Sequence, residues 1–148
     1  MTVPVPQLIT VDIAVFNSFD RRLLFIRRCN EPFKDQLAFP GGFVEPDETI
    51  LNAAMRELNE ETSLQAFGKI SLIGVASEPG RDPRGRVVSV IFMALIDDAV
   101  ANTARAADDA KEIVWLTVEQ AAREGLAFDH NEILLNVISK LPEAVACC

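Results

Sequence analysis

Pro40-Gly41-Gly42-Phe43-Val44-Glu45-Pro46-Asp47-Glu48-Thr49-Ile50-Leu51-Asn52-Ala53-Ala54-Met55-Arg56-Glu57-Leu58-Asn59-Glu60-Glu61-Thr62-Ser63-Leu64 is the stretch on which the rest of the chain turns. After Pro46, residues Leu51, Ala54, Met55, Leu58 and Thr62 fall at i, i+3, i+4, i+7 and i+11. That spacing predicts one buried stripe on a helix over about 48–62, with Asp47 as its cap and Glu48 at its positive end. Residues 45–61 hold six acids, Glu45, Asp47, Glu48, Glu57, Glu60 and Glu61, against the single base Arg56, a net −5 in seventeen residues. At 100° per residue, Glu57, Glu60 and Glu61 share an arc of about 100° beside the stripe.

Such a ridge is locally unfavourable. Like charges at these spacings cost a few tenths of a kcal/mol per pair, and acids near a helix C-terminus oppose the macrodipole by about 0.3–1 kcal/mol each. An acidic helix face is most often just a solvated face, but solvation does not account for this placement. Carboxylates without matching cations are the hard ligands that Mg²⁺ or Mn²⁺ select. Arg56, one turn before Glu60, is suited to hold one carboxylate while the others bind metal, and Gly41-Gly42 offers a bare turn whose carbonyl can approach the same ions.

Outward from the helix, Gln7 to Phe16 and Arg21 to Arg28 read as a strand pair closed by Asn17-Ser18-Phe19-Asp20, and Leu37-Ala38-Phe39 leads into the glycine turn. Phe67 to Ser77 and Arg86 to Ile96 read as long strands joined by the turn-rich segment Glu78 to Gly85, and Glu112 to Leu116 as a short one. Thr117 with Gln120 predicts a capping box, and Asp129 with Glu132 predicts a second one ahead of Ile133, Leu134, Val137, Ile138 and Leu141. The whole is a mixed β-sheet with helices on its faces, an α/β (α+β) chain without repeats or linkers.

The 148 residues suit one domain over 1–148, with 49% hydrophobic and 24% charged residues excluding a disordered or fibrous class. A net charge of −8 repels a phosphate backbone, so neither nucleic acid nor an anionic membrane is an expected partner. Only −3 of it lies outside the acidic segment, so small phosphate ligands reached through bound cations are not excluded. Cys29 and the adjacent tail pair Cys147 and Cys148, expected to be solvent-exposed, make no disulfide framework. With no export signal at Met1 to Phe16 and no apolar run of membrane-spanning length, a cytoplasmic protein is expected.

Gly42, then Glu48, then Arg56-Glu57-Leu58-Asn59-Glu60-Glu61-Thr62-Ser63-Leu64 resembles the Nudix box, G-x5-E-x7-R-E-U-x-E-E-x-G-U with U apolar. Eight of the nine specified positions are present, and the six invariant ones alone arise by chance on the order of 10⁻⁷ per starting point at ordinary residue frequencies. Ser63 stands where the family has Gly, at the helix end, where the backbone often needs φ > 0. The resemblance implies a Nudix hydrolase with an α/β/α sandwich. It implies two or three Mg²⁺, or Mn²⁺, on Glu57, Glu60, Glu61 and the Gly41 carbonyl, with Glu48 and Arg56 orienting the ligands. The general base is then a box glutamate or an acid before the last strand, Asp108, Asp109 or Glu112.

Leu37 to Glu45, Arg81-Asp82-Pro83-Arg84-Gly85-Arg86 and Leu126-Ala127-Phe128-Asp129-His130 are similar to the ADP-ribose pyrophosphatase branch. That branch implies Mg²⁺-dependent hydrolysis of ADP-ribose to AMP and ribose 5-phosphate, and homodimers are common in it. Arg81, Arg84 and Arg86, with Arg28 at the end of the second strand, are the candidate phosphate or ribose contacts. The alternatives are hydrolysis of another nucleoside diphosphate derivative (a nucleotide sugar, a dinucleotide or an oxidised nucleoside triphosphate) or a regulator that binds ADP-ribose without cutting it. The intact carboxylates oppose the regulator, and 148 residues are expected to leave no room for a DNA-binding domain. His130, the only histidine, reads as structural, Trp115 as core, and Phe39 and Phe43 fit either use.

Overall fold

The computed structural model describes residues 2–65 and 69–141. Cys147 and Cys148, and the first two residues of the strand expected from Phe67, lie outside them. Strand β1 (Leu8–Asn17) runs up the middle, parallel to β6 (Val87–Ile96) through ten residue pairs from Leu8↔Val87 to Asn17↔Ile96. On one side of β1 come β2 (Arg22–Arg28) and then β3 (Leu37–Ala38), and outside β6 lies β5 (Ile70–Ala76). The short β4 (Gly41–Phe43) pairs with β1, and β7 (Ala110–Leu116) with β2. Every pairing but β1–β6 is antiparallel, so the sheet is mixed.

Helices cover both faces. Helix α1 (Ile50–Thr62) packs Ala53, Ala54 and Leu58 on Val11, Ile13 and Val15 of β1, whereas α3 (Val118–Arg123) and α4 (His130–Lys140) pack Ala121, Ile133, Leu134 and Val137 on Ala14, Phe16 and Phe25. Because β1 is buried on both faces, it reads as an almost continuous apolar run. Alternation puts Asp12 on the α4 face with Ala14 and Phe16. Trp115 packs against the α1-side core, as expected. No helix among the described residues is long and apolar enough to cross a membrane.

Four details differ from the sequence expectation. Helix α1 starts at Ile50, not 48, because the Thr49 hydroxyl rather than Asp47 caps it, accepting from the Asn52 N–H at 3.1 Å. Its buried stripe includes Ala53 and excludes Leu51, which is exposed. A short helix α2 (Asp98–Ala101) follows β6, capped by Asp97, and is too brief to show a period. The Thr117–Gln120 capping box forms, but Asp129 makes no cap bond: its carboxylate is taken by Arg81. At the other end of α1, Ser63 adopts φ 62°, ψ 7° and donates its N–H to Asn59 O at 2.8 Å, the left-handed cap that the family's glycine position calls for.

Candidate functional site

The end of α1, the β4 turn and the loop before β6 enclose one cleft of about 420 Å³, within the size range of small-ligand sites. Among its walls are Gly41, Glu57, Glu61, Arg28, Arg81, Arg84 and Asp109. Seven candidates from distant parts of the chain thus meet. The glycines matter here through what a Cβ would strike. One on Gly41 would sit 2.0 Å from Val11 O, and one on Gly42 would sit 2.5 Å from the Glu57 carboxyl carbon. The missing side chains let β4 lie against β1 and let the Glu57 carboxylate enter the cleft.

Glu61 is buried and accepts the Gly41 N–H at 3.0 Å, yet no salt bridge among the described residues reaches it. Burial, with the neighbouring charges of Glu57, Asp12 and Asp109, pushes its carboxyl up to about 8 against an ordinary 4.5. Burial likewise raises Glu57, even though Arg56 Nη1 donates to its Oε1 at 2.9 Å. Two other acids of the segment, Glu48 and Glu60, are compensated by Arg56. Glu48 takes two bonds from Arg56, at 2.6 and 2.9 Å, and one from the Glu45 N–H; these hold it down at about 2. Glu60 accepts from Arg56 at 3.0 Å, and Arg56 also donates to Phe43 O at 3.0 Å.

The structure therefore splits the expected metal set. Glu60 does not line the cleft but is turned to Arg56, and among the described residues no three His, Cys, Asp or Glu side chains converge as a ready-made cage. What remains suits a hard divalent cation: oxygen donors only, with acids buried beside one another and, at Glu61, no salt bridge from any described cation.

Three cations face this acidic floor. Arg81 grips Asp129 with two bonds, at 2.8 and 2.9 Å, and Arg84 grips Asp82 at 2.7 and 3.0 Å. Arg28 donates to Pro32 O at 2.8 Å, and burial, then Arg84, hold its guanidinium below the usual range. Asp109 receives the Asn30 amide at 3.1 Å. The candidates Asp108, Arg86 and Glu112 do not line the cleft, and Asp108 is exposed. Arg86 donates to Ser77 O at 2.7 Å, tying together the ends of the β5–β6 connection, and does not line the cleft. Glu112 faces Arg27 across β7 and β2, outside the cleft, because strand alternation turns it away from Asp109's loop.

Asp12 and His130 also line the cleft, and the sequence reading assigned them no chemistry. Both are buried. Asp12 accepts the Ser89 hydroxyl at 2.5 Å and lies 3.5 Å from His130 Nε2. His130 Nδ1 accepts the Phe39 N–H at 3.1 Å, so the ring is neutral with its proton on Nε2, and burial lowers its pKa in the same sense. A lone acid inside the apolar run Val11 to Phe16 was the available signal for Asp12. Nothing local marks His130.

The family model for the NUDIX domain matches residues 6–137. An ADP-ribose pyrophosphatase from Methanocaldococcus jannaschii is 46% identical over 115 residues, covering 78% of this chain and 64% of the relative. The ADPR responsive transcriptional repressor NtrR of Acinetobacter baylyi is 38% identical over 141 residues, covering 90% and 54%. The chain thus spans less than two thirds of the length of these curated relatives. Among solved structures, the NUDIX domain of Shewanella oneidensis NrtR complexed with ADP ribose aligns with a TM-score of 0.83 at 26% identity, covering 93% of this chain and 90% of that one.

Proposed function

The chain belongs to the NUDIX domain family, and from that premise we propose that it hydrolyses ADP-ribose to AMP and ribose 5-phosphate with Mg²⁺ as cofactor. The observation that carries this reading is one cleft holding both an under-compensated acidic floor, Glu57 and Glu61, and a basic wall, Arg28, Arg81 and Arg84. A diphosphate carries negative charge to both: to the arginines directly and to the acids through a cation. The 46% identical pyrophosphatase supports the choice of substrate.

In this scheme Glu57, Glu61 and the Gly41 carbonyl hold the metal. When bound, Mg²⁺ neutralises pyrophosphate oxygens and lowers the pKa of a water in its reach. Arg56 keeps Glu57 oriented from behind, with Glu48 fixing Arg56 in turn. The arginines draw the diphosphate into line. Water attacks one phosphorus, the bridging P–O bond breaks, and Asp109, which lines the same cleft, accepts the water's proton. Glu112, outside the cleft, drops out as a base.

A second reading is favoured by the 38% identity to a repressor over 90% of the chain: binding of ADP-ribose without cleavage. A panel of ADP-ribose, nucleotide sugars, dinucleotides and oxidised nucleoside triphosphates, each with Mg²⁺, separates the readings. Release of AMP, with ADP-ribose among the best substrates, is expected. Preference for another diphosphate contradicts the substrate, and saturable ADP-ribose binding without AMP release contradicts the hydrolase.

A further inference from the structure

Phe128 has φ +53°, in the left-handed region that a bulky L residue enters only when its surroundings enforce it. Around its ring lie two cations. The guanidinium carbon of Arg28 is 4.9 Å from the ring centroid and that of Arg84 is 5.2 Å. Phe33 stacks on the same ring at 4.7 Å, tilted by 56°. Two guanidiniums so close repel each other, and what holds each of them differs. Arg84 has the Asp82 carboxylate and a second ring, Phe43, at 4.7 Å. Arg28 has a neutral carbonyl, Pro32 O, and the face of Phe128. The negative face of an aromatic ring attracts a guanidinium within about 6 Å, more strongly where water is excluded. The next residue, Asp129, takes Arg81. Residues 128 and 129 together therefore touch all three arginines of the basic wall.

We propose that Phe128 is a positioning residue for diphosphate recognition: its ring holds Arg28 beside Arg84 as a two-cation cradle and does not itself touch the reacting atoms. The proposal rests on the reading of this cleft as a diphosphate site. It separates from plain packing by chemistry, since Leu or Met keeps apolar volume without a quadrupole, whereas Tyr keeps both.

The test compares Phe128→Leu, Phe128→Met and Phe128→Tyr, measuring inorganic pyrophosphate binding by calorimetry with Mg²⁺ present, KM and kcat on ADP-ribose, and thermal melting. Leu and Met are expected to weaken pyrophosphate binding and raise KM by about tenfold, with kcat within about twofold, while Tyr stays near wild type. In an Arg28→Gln background the Leu substitution is expected to add less than about threefold, because the contact it removes is already gone. Should Phe128→Leu not fold, Phe128→Met carries the comparison. Unchanged pyrophosphate binding in the folded Leu or Met variant overturns the proposal. So does a Tyr variant as weak as Leu, or a wild type that binds no pyrophosphate. A wild type that binds pyrophosphate with this pattern yet releases no AMP from ADP-ribose overturns the substrate assignment and leaves the role of Phe128 standing.

Discussion

The acidic segment at residues 45–61 carries two sets of acids that differ in what faces them. Glu48 and Glu60 look toward Arg56, which donates twice to Glu48, once to Glu60 and once to Glu57, and Glu48 is held down at about 2 by its Arg56 bonds and the Glu45 N–H. Glu57 and Glu61 look into the cleft, where burial outweighs the available partners and Glu61 rises to about 8. The two sets are interleaved in sequence and chemically opposite. Charge that the fold compensates is scaffold, and charge that it leaves buried without an equal partner marks where a ligand completes the structure.

The contrast breaks most visibly in activity. Glu57→Gln and Glu61→Gln are expected to lower kcat/KM on ADP-ribose by about 10³-fold with the circular dichroism spectrum unchanged, since each removes a donor for the ion that stabilises transition-state charge. Glu60→Gln, on the compensated side, is expected to lose far less. Equal losses from Glu60 and Glu61 erase the distinction.

Stability against pH sharpens it next. Between 4.5 and about 8 the unfolded chain has released the Glu61 proton while the folded chain still holds it. At this site the folded state binds more protons, so Glu61 contributes a loss of stability to the metal-free protein as pH rises through that window. Buried neutral His130 contributes the opposite slope below about 6.5, and Glu57 a slope of the same sign. The Glu61 part is therefore read from the difference between wild type and Glu61→Gln in EDTA from pH 5 to 8, which should grow to on the order of 2 kcal/mol in the variant's favour at pH 8. Mg²⁺ should flatten the Glu61 part of the wild-type curve. A difference between wild type and Glu61→Gln that does not grow with pH over this window contradicts the account of Glu61.

Removing the compensating partner gives a smaller effect. Arg56→Ala is expected to cost about 1–2 kcal/mol in urea unfolding, discounted for partial exposure, and to lower turnover less than Glu61→Gln does. Smallest is Ser63→Gly, at the end of the same helix. Relief of the left-handed serine should add about 0.5–1 kcal/mol with kcat unchanged.

These two regions also show what the sequence could and could not display. The helix was legible because its apolar spacing is local, and the box because its spacing is rarely met by chance. The start of α1 slipped by two residues because Asp47 and Thr49 are both competent caps, and only the folded turn selects the hydroxyl. Angular position put Glu57, Glu60 and Glu61 on one ridge, but which of them is buried depends on β4, and the Gly41 N–H meets Glu61 across twenty residues. Arg86 and Glu112 fell outside the cleft for a related reason: a loop or strand-end sequence does not say which charged side chain turns inward. Asp129 had the spacing of a capping box, and an arginine 48 residues away claimed its carboxylate. Local rules found the elements, and long-range partners decided the charges.

The most direct test of the central claim is anomalous diffraction from crystals grown with Mn²⁺. The ion is predicted against Glu57 and Glu61 at the cleft floor, with Arg56 still bound to Glu48. Mn²⁺ density absent from that floor, or centred on Glu48 and Arg56's side of the helix, would contradict the division between compensated and ligand-holding acids.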